Sequence, residues 1–339
     1  VKDCKQKIIK KNFSCNPNQD SITLICVFRD EELLIPHFIN YYEKMGVSHF
    51  IFIDNSSIDK SIEKISTHCT KDYRIVERVG NYSQANFGVD WATEELDLFC
   101  KNTWCGVVDI DEFILLQNDA NFNQLKKEML ASKANVCEFI LCEFYPKSFP
   151  KNVEPFDPFI HSDYYDNFYN PDYFSTRFYK KTNKGSFGIW GGLRKRIFSE
   201  TISENRKYCL NKKLFFNYDF YNHCKLSAGM HWLDDKNEQT TNQKIKYFEH
   251  KKIVAHFKFV KPDIINFFKK RIKRNQDWQG CEEYKSYVKN FQTSFFKDGF
   301  SESFRNVNEL YQKTLDPLMN YLPTEDISKF SIQEIKPHE

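Results

Sequence analysis

From residue 21 onward, short apolar runs alternate with longer segments whose apolar residues recur at helical spacing. SITLICVF (21–28), VSHFIFI (47–53), YRIVERV (73–79) and WCGVVDI (104–110) each read as a β-strand. Between them EELLIPHFINYYEKMG, SSIDKSIEKISTHC and SQANFGVDWATEELDLFC read as helices, the second capped by Asp59 or Ser57. Strands alternating with helices predict right-handed crossovers and a mostly parallel sheet. After NVCEFILCEFYP (135–146) the period is lost. Residues 147–190 are rich in Tyr, Phe, Asn, Asp and Pro, too aromatic for disorder, and are expected to form an ordered, irregular lid or acceptor region. KIVAHFKFV (252–260) predicts a further strand, and the chain from PDIINFFKKRIKR onward reads as helical.

In parallel sheets of this kind, ligands bind beyond the carboxyl ends of the strands. Three predicted strands end in polar clusters there: Arg29-Asp30-Glu31, Asp54-Asn55-Ser56-Ser57, and Asp109 with Asp111. Each cluster alone also reads as a turn or a helix cap. Their convergence on one edge favours a site.

Composition narrows the class. The 339 residues are 41% hydrophobic and 28% charged, which suits a globular protein of one large domain or a domain with a satellite. Phe numbers 33, so Phe-rich stripes are expected to be core. A net charge of +3 is too near balance for a protein dominated by nucleic-acid binding, so no nucleic-acid partner is expected. The 11 cysteines form no CxxC pair, which argues against a zinc ribbon or thioredoxin motif and for a reducing compartment. No apolar run reaches the roughly 18 residues that span a bilayer, and no signal peptide is visible. The chain begins with Val, so a preceding piece, with any anchor it carried, would go unseen.

The sharpest feature is WCGVVDIDEFILL (104–116), where Asp109, Asp111 and Glu112 interrupt an apolar run. Buried carboxylates need a cation, a metal or several donors. Residues two apart in an extended chain share a face, so Asp109 and Asp111 can reach one cation at the strand end. Hard oxygen ligands suit Mg²⁺ or Mn²⁺, which keep positions open for substrate phosphates. Glu112, on the opposite face, is expected to be supporting or solvent-facing. The first strand is followed by RDEE, so a GxGxxG nicotinamide site is disfavoured, and no P-loop is present. A dehalogenase-type phosphatase would carry its Asp pair after the first strand, not the fourth. An acidic turn is the plain alternative for the pair.

ICVFRDEELLIPHFINYYEKMGVSHFIFIDNSSID, VDIDEFI, GGLRKRIF and AHFKFV together resemble glycosyltransferases of the GT-A fold, family-2-like, close to the DUF23 or family 92 group. The resemblance runs in order over roughly residues 21–285. Position 30 is Asp where many relatives carry Asn. The resemblance implies an α/β fold of GT-A, Rossmann-like type: a mostly parallel central sheet flanked by helices, with a mainly helical C-terminal region. It divides the chain into an N-terminal extension (1–20), a nucleotide-sugar-binding half (21–145), an acceptor, lid and catalytic half (146–260) and a helical C-terminal region (261–339). It implies a nucleotide-sugar donor, a UDP-sugar favoured, and a glycan or glycolipid acceptor such as a bacterial lipooligosaccharide or capsule.

By the same resemblance, Asp54 contacts the nucleoside, with Asn55 and Asp59 shaping the turn beside Arg29. Asp109 and Asp111 face ribose and a Mn²⁺ or Mg²⁺ ion, and His256 is the candidate third ligand, with His231 the runner-up. Gly191 and Gly192 let the backbone pass near the sugar, and Arg194 holds diphosphate oxygens. Read as a strand, that segment puts Arg194 and Arg196 on one face. Inverting transfer needs a base, but the Glu-Asp of many relatives is replaced by Leu-Arg-Lys. Asp163, Asp166, Asp219 and His231 remain open candidates. KFVKPDIINFFKKRIKR (258–274) holds seven basic residues beside Ile264, Ile265, Phe267 and Phe268, and can lie on anionic lipid or form an ordinary surface helix. The expected place is cytoplasmic, with peripheral contact at the inner face of the membrane. The rival readings are a Mg²⁺-dependent phosphatase or hydrolase using the same acids, and a non-catalytic glycan- or membrane-binding relative.

Overall fold

Along the chain the first elements are β1 (Lys5–Asn12), β2 (Ile22–Phe28), α1 (Ile35–Lys44), β3 (His49–Asp54), α2 (Ser61–His68), β4 (Asp72–Val79) and α3 (Val89–Phe99). Next come β5 (Trp104–Val107), β6 (Glu112–Leu115), α4 (Phe122–Ala131), β7 (Val136–Tyr145), α5 (Pro158–His161), β8 (Tyr164–Asp166), β9 (Ser175–Tyr179) and β10 (Ser186–Trp190). They are followed by α6 (Gly192–Phe198), β11 (Asn211–Asn217), β12 (Cys224–Leu226), β13 (Leu233–Asp235), β14 (Lys252–His256), α7 (Ile264–Arg274) and α8 (Trp278–Asn290). The last are β15 (Ser301–Ser303), α9 (Val307–Lys313), α10 (Leu315–Tyr321) and β16 (Glu334–Ile335). The computed structural model describes residues 5–13, 16–149, 156–168, 175–179, 186–198, 208–222, 224–235, 245–321 and 334–335. Much of the expected lid therefore lies outside the described residues.

The central sheet runs β1-β4-β3-β2-β5-β11-β7-β14-β6. β4, β3, β2, β5, β7 and β14 point one way; β1, β11 and β6 point the other. This is the mixed, mostly parallel α/β sheet expected, flanked by helices. The segment read as an N-terminal extension supplies β1, an antiparallel edge strand on β4. β5 and β11 approach so closely at Gly106 that a Cβ there would overlap the Leu214 carbonyl oxygen. Only glycine permits that pairing.

Several expected elements are shorter than their sequence runs, and the strand expected over 252–260 stops at His256. The fourth strand stops at Val107, and Glu112 N donates to Asp109 O at 3.0 Å, closing a turn around the Asp pair. The following EFIL is a separate strand, β6, on the far side of the sheet against β14. The third expected helix is broken at Asn86, Phe87 and Gly88, whose φ values are 50°, 56° and 81°, so α3 proper begins at Val89.

Phenylalanine fills the core as composition implied: Phe38 of α1 meets Phe52 of β3 and Phe113 of β6. Tyr41 and Tyr42 donate their hydroxyls to the Ile114 and Glu112 carbonyls, tying α1 to β6. A second apolar cluster, including Leu193, Phe198, Phe259, Phe268, Tyr287 and Phe295, packs α6, α7 and α8 together. The apolar face offered to lipid by residues 258–274 is thus partly used internally: Ile264 and Phe268 are buried in that cluster. Among the described residues no helix is long and apolar enough to cross a membrane. Cys26, Cys69, Cys100, Cys105, Cys137, Cys142, Cys209, Cys224 and Cys281 are free thiols.

Candidate functional site

A cleft of about 790 Å³ opens where β2, β3, β5 and β14 end, the edge at which the sequence gathers its polar clusters. Arg29 and Glu31 enter it from the loop after β2, Asn55 from the end of β3, and Asp109 and Asp111 from the turn after β5. β11 runs the other way, so its beginning, with Lys212, faces the same space. α7 and α8 form another wall with Phe267, Arg271, Arg274, Glu283 and Tyr284.

The three acids of WCGVVDIDEFILL each meet a cation. Lys212 Nζ lies 2.6 Å from Glu112 and 3.4 Å from Asp109. Burial pushes Glu112 up, and Lys212 opposes that. Glu112 is buried, not solvent-facing, and its carboxylate also accepts the Asp109 N–H at 3.2 Å. Asp111 sits 3.4 Å from His256 Nε2 and 4.0 Å from Lys258 Nζ. Burial would raise Asp111, but His256, then Lys258, holds it well below the usual carboxylate range.

His256, the last residue of β14, is clamped from both sides. Its Nδ1 meets Glu143 Oε2 at 2.9 Å, and Nε2 faces Asp111. Burial would lower this imidazole, yet Glu143 and Asp111 raise it to about 9, so it carries a proton at neutral pH. Glu143 is itself braced by Arg194, whose guanidinium also reaches Glu283 at 3.0 Å. A carboxylate on the second ring nitrogen is the usual way a metal-binding histidine is oriented. Among the described residues no group of three or more His, Cys, Asp or Glu converges on a metal position. Asp111 and His256 could supply two ligands to a hard cation that takes the rest from phosphate and water.

The remaining expected residues fall in different places. Asp54 is buried and accepts from Ser57 N (3.0 Å) and Ser57 Oγ (2.5 Å), and Asp59 accepts from the Glu32 and Ser61 N–H groups. Neither lines the cleft, whereas Asn55 does, its amide donating to the Arg78 and Gly80 carbonyls. Gly191 and Gly192 are absent from the lining, and the segment after them is the helix α6 rather than a strand. Arg194 therefore turns to Glu143 and Glu283 while Arg196 turns to Asp166. Asp166 is buried between Arg196 and the Tyr145 hydroxyl.

Asp163 and Asp219 are exposed and outside the cleft, the latter accepting from the Asn135 amide. His231 lines the cleft. Its Nδ1 lies 2.7 Å from the Asn211 carbonyl, which assigns the proton to Nδ1 and leaves Nε2 as acceptor. Burial, then the charge on Lys212, holds this ring down at about 3.

Several cleft residues escape a reading of the sequence alone. Glu31 pairs with Lys261 at 2.6 Å and Arg274 donates to Asp30 at 2.5 Å, so α7 is latched to the loop after β2. One signal was available for Lys212. NKKLFFN places two lysines in an apolar strand, the mirror of the three acids in 104–116. Neighbouring residues of a strand face opposite ways, so Lys212 meets Glu112 while Lys213 meets Glu138 on the other side of the sheet.

No protein-family model matches the chain, and no curated protein matches it. Comparison with solved structures gives distant likenesses. HddC from Yersinia pseudotuberculosis is 10% identical with a TM-score of 0.34, covering 77% of this chain and 99% of that one. A 4-diphosphocytidyl-2C-methyl-D-erythritol synthase is 9% identical with a TM-score of 0.30, over 60% of this chain and 78% of that one. The apo-UDP-glucose pyrophosphorylase is 10% identical with a TM-score of 0.29, over 74% and 99%. Likenesses this distant carry no functional argument, which rests on the cleft itself.

Proposed function

We propose that the cleft binds a nucleotide sugar, a UDP-sugar favoured, and transfers its hexosyl group to a hydroxyl of a glycan acceptor with inversion. The observation that carries this reading is the pairing of Asp111 with His256 at 3.4 Å, beneath a rim of cations at the carboxyl edge of a parallel sheet. Arg29, Lys212, Lys258, Arg271 and Arg274 all line the cleft, a charge distribution suited to a diphosphate. Asn55 and Tyr82 line it near Arg29, where the nucleoside would lie.

In the reaction, the bond from the anomeric carbon to the diphosphate oxygen breaks as the acceptor oxygen bonds to that carbon. Negative charge grows on the departing diphosphate, and the cationic rim stabilises it. A Mn²⁺ or Mg²⁺ ion held by Asp111 and His256, with Asp109 nearby, would supply further Lewis-acid stabilisation of that charge. His231 is the base of this proposal: of the candidates it alone lines the cleft, and its Nε2 is free of the proton. Arg194 and Glu143 act by orienting His256.

The test is release of nucleoside diphosphate from a panel of UDP-, GDP- and CMP-sugars, with Mn²⁺ and with EDTA. Metal-stimulated release from one donor class supports the reading. Phosphate release from simple phosphomonoesters instead would assign a hydrolase, and no turnover of any donor would leave a binding protein.

A further inference from the structure

The half of the cleft beyond Lys212 adds an aromatic wall to its cations, Lys225 and Arg194. Trp190, Tyr208, Met230 and Trp232 line it beside His231. Trp190 ends β10 and bridges to Cys209, just before β11, so this wall lies on the β11 side of the Asp pair. The nucleoside side, at Arg29 and Asn55, lies across β5 in the sheet order.

The aromatic wall is built rather than incidental. The Trp190 and Trp232 rings are 6.4 Å apart at 38°. Gly188 makes room for them: a Cβ there would overlap the Trp190 ring and come within 3.1 Å of Trp232. The loop carrying Trp232 is closed on itself, Trp232 N donating to Ser227 Oγ (2.8 Å) and Ser227 N donating to Trp232 O (3.0 Å). Lys213 Nζ lies 5.1 Å from the Trp232 ring centre, a cation–π contact that fixes the indole further. Trp232 is half-buried and lines the cleft, and its chain neighbour His231 is pinned to the Asn211 carbonyl.

A pyranose has an apolar C–H face and a polar hydroxyl rim. Stacking it on an indole buries the first and leaves the second free to hydrogen-bond. We infer that Trp232, supported by Trp190, is the acceptor subsite, and that it stacks a pyranose ring whose hydroxyl is presented to His231 Nε2. The inference rests on the glycosyl-transfer reading of the cleft, but sugar binding is measurable without transfer.

The experiment is saturation-transfer NMR of the full chain with methyl glucoside, galactoside, mannoside and N-acetylglucosaminide, without donor. At least one glycoside is expected to bind, with transfer strongest at its ring C–H protons and unchanged by added UDP. Trp232→Ala is expected to weaken that binding about tenfold or more, and Trp232→Phe to restore most of it, both variants melting as cooperatively as the parent. No glycoside bound by the parent protein, equal binding by Trp232→Ala, or displacement by UDP alone would overturn the assignment. Should Trp232→Ala lose its cooperative melt, the Trp232→Phe and Trp232→Leu pair decides: equal binding by both overturns the subsite. Glycoside binding without turnover of any nucleotide sugar would sink the transferase reading and leave the subsite standing.

Discussion

His256 Nε2 lies 3.4 Å from Asp111 Oδ2, joining the end of β14 to the turn after β5 across the base of the cleft. Glu143 holds the other ring nitrogen at 2.9 Å. Two acids and one imidazole make a protonated ring in the free protein; in the proposed reaction a divalent cation would take that proton's place.

Glu143→Gln is therefore expected to weaken Mn²⁺ binding about 10–100-fold while leaving the fold intact, as loss of an orienting carboxylate does. Asp111→Asn is expected to abolish metal-stimulated turnover. Calorimetric titration with Mn²⁺ in the presence of UDP measures the first, and the donor panel the second. Full turnover by Asp111→Asn in EDTA would count against a metal at this position.

Removing Lys212 should cost stability as well as activity. Its ammonium is 5% exposed and neutralises Glu112, 1% exposed, at 2.6 Å. Lys212→Met leaves a buried carboxylate without its cation, a loss of about 3–5 kcal/mol. The double variant Lys212→Met with Glu112→Gln should recover much of it. Urea denaturation reads both, and equal stability of the single variant and the parent would contradict the pairing.

Glu138 gives the clearest dependence of stability on pH. Burial would raise this carboxyl, but Lys213, then Lys251, lowers it to about 2. In the unfolded chain it titrates near about 4.3. Its folded value is the lower one, so its contribution is present above about 4.3 and is lost as pH falls towards 2. The gap in unfolding free energy between the parent and Glu138→Gln should narrow by about 3 kcal/mol over that window. A gap constant from pH 6 to pH 2 would show that the carboxylate is not held this way.

His231 should titrate differently with donor bound. Burial and the Lys212 charge, with Arg194 adding to them, hold it at about 3 in the free protein. A diphosphate offsets those charges, so the ring becomes a better base in the complex. The acid limb of kcat is then expected at higher pH than that of kcat/KM for the donor. His231→Ala should lower kcat by about 10²–10⁴. Coincident limbs, or an unchanged rate in the variant, would pass the role to another residue.

The strand and helix alternation of the first half was legible because each element buries one face, and burial writes a period into the sequence. So was the clustering of Arg29, Asn55 and Asp109 at one edge, since parallel strands end together. The break at Asn86 to Gly88 was not legible, because helical spacing of the apolar residues continues through it while Phe87, a residue with no left-handed preference, takes φ 56°. Nor was the helical state of α6, whose short GLRKRIF run fits either period.

By itself the sequence determined the α/β layering, the Phe-rich core and the placing of Asp109 and Asp111 just beyond the end of one strand. Tertiary structure decided what those acids meet. Lys212 reaches Glu112 and Asp109 because β11 runs antiparallel beside β5; His256 reaches Asp111 because β14 lies beside β6; and α7 supplies its arginines by folding back onto the loop after β2. A carboxylate announces in sequence that it needs a partner, but the partner is chosen by strand order and direction, which no local pattern encodes.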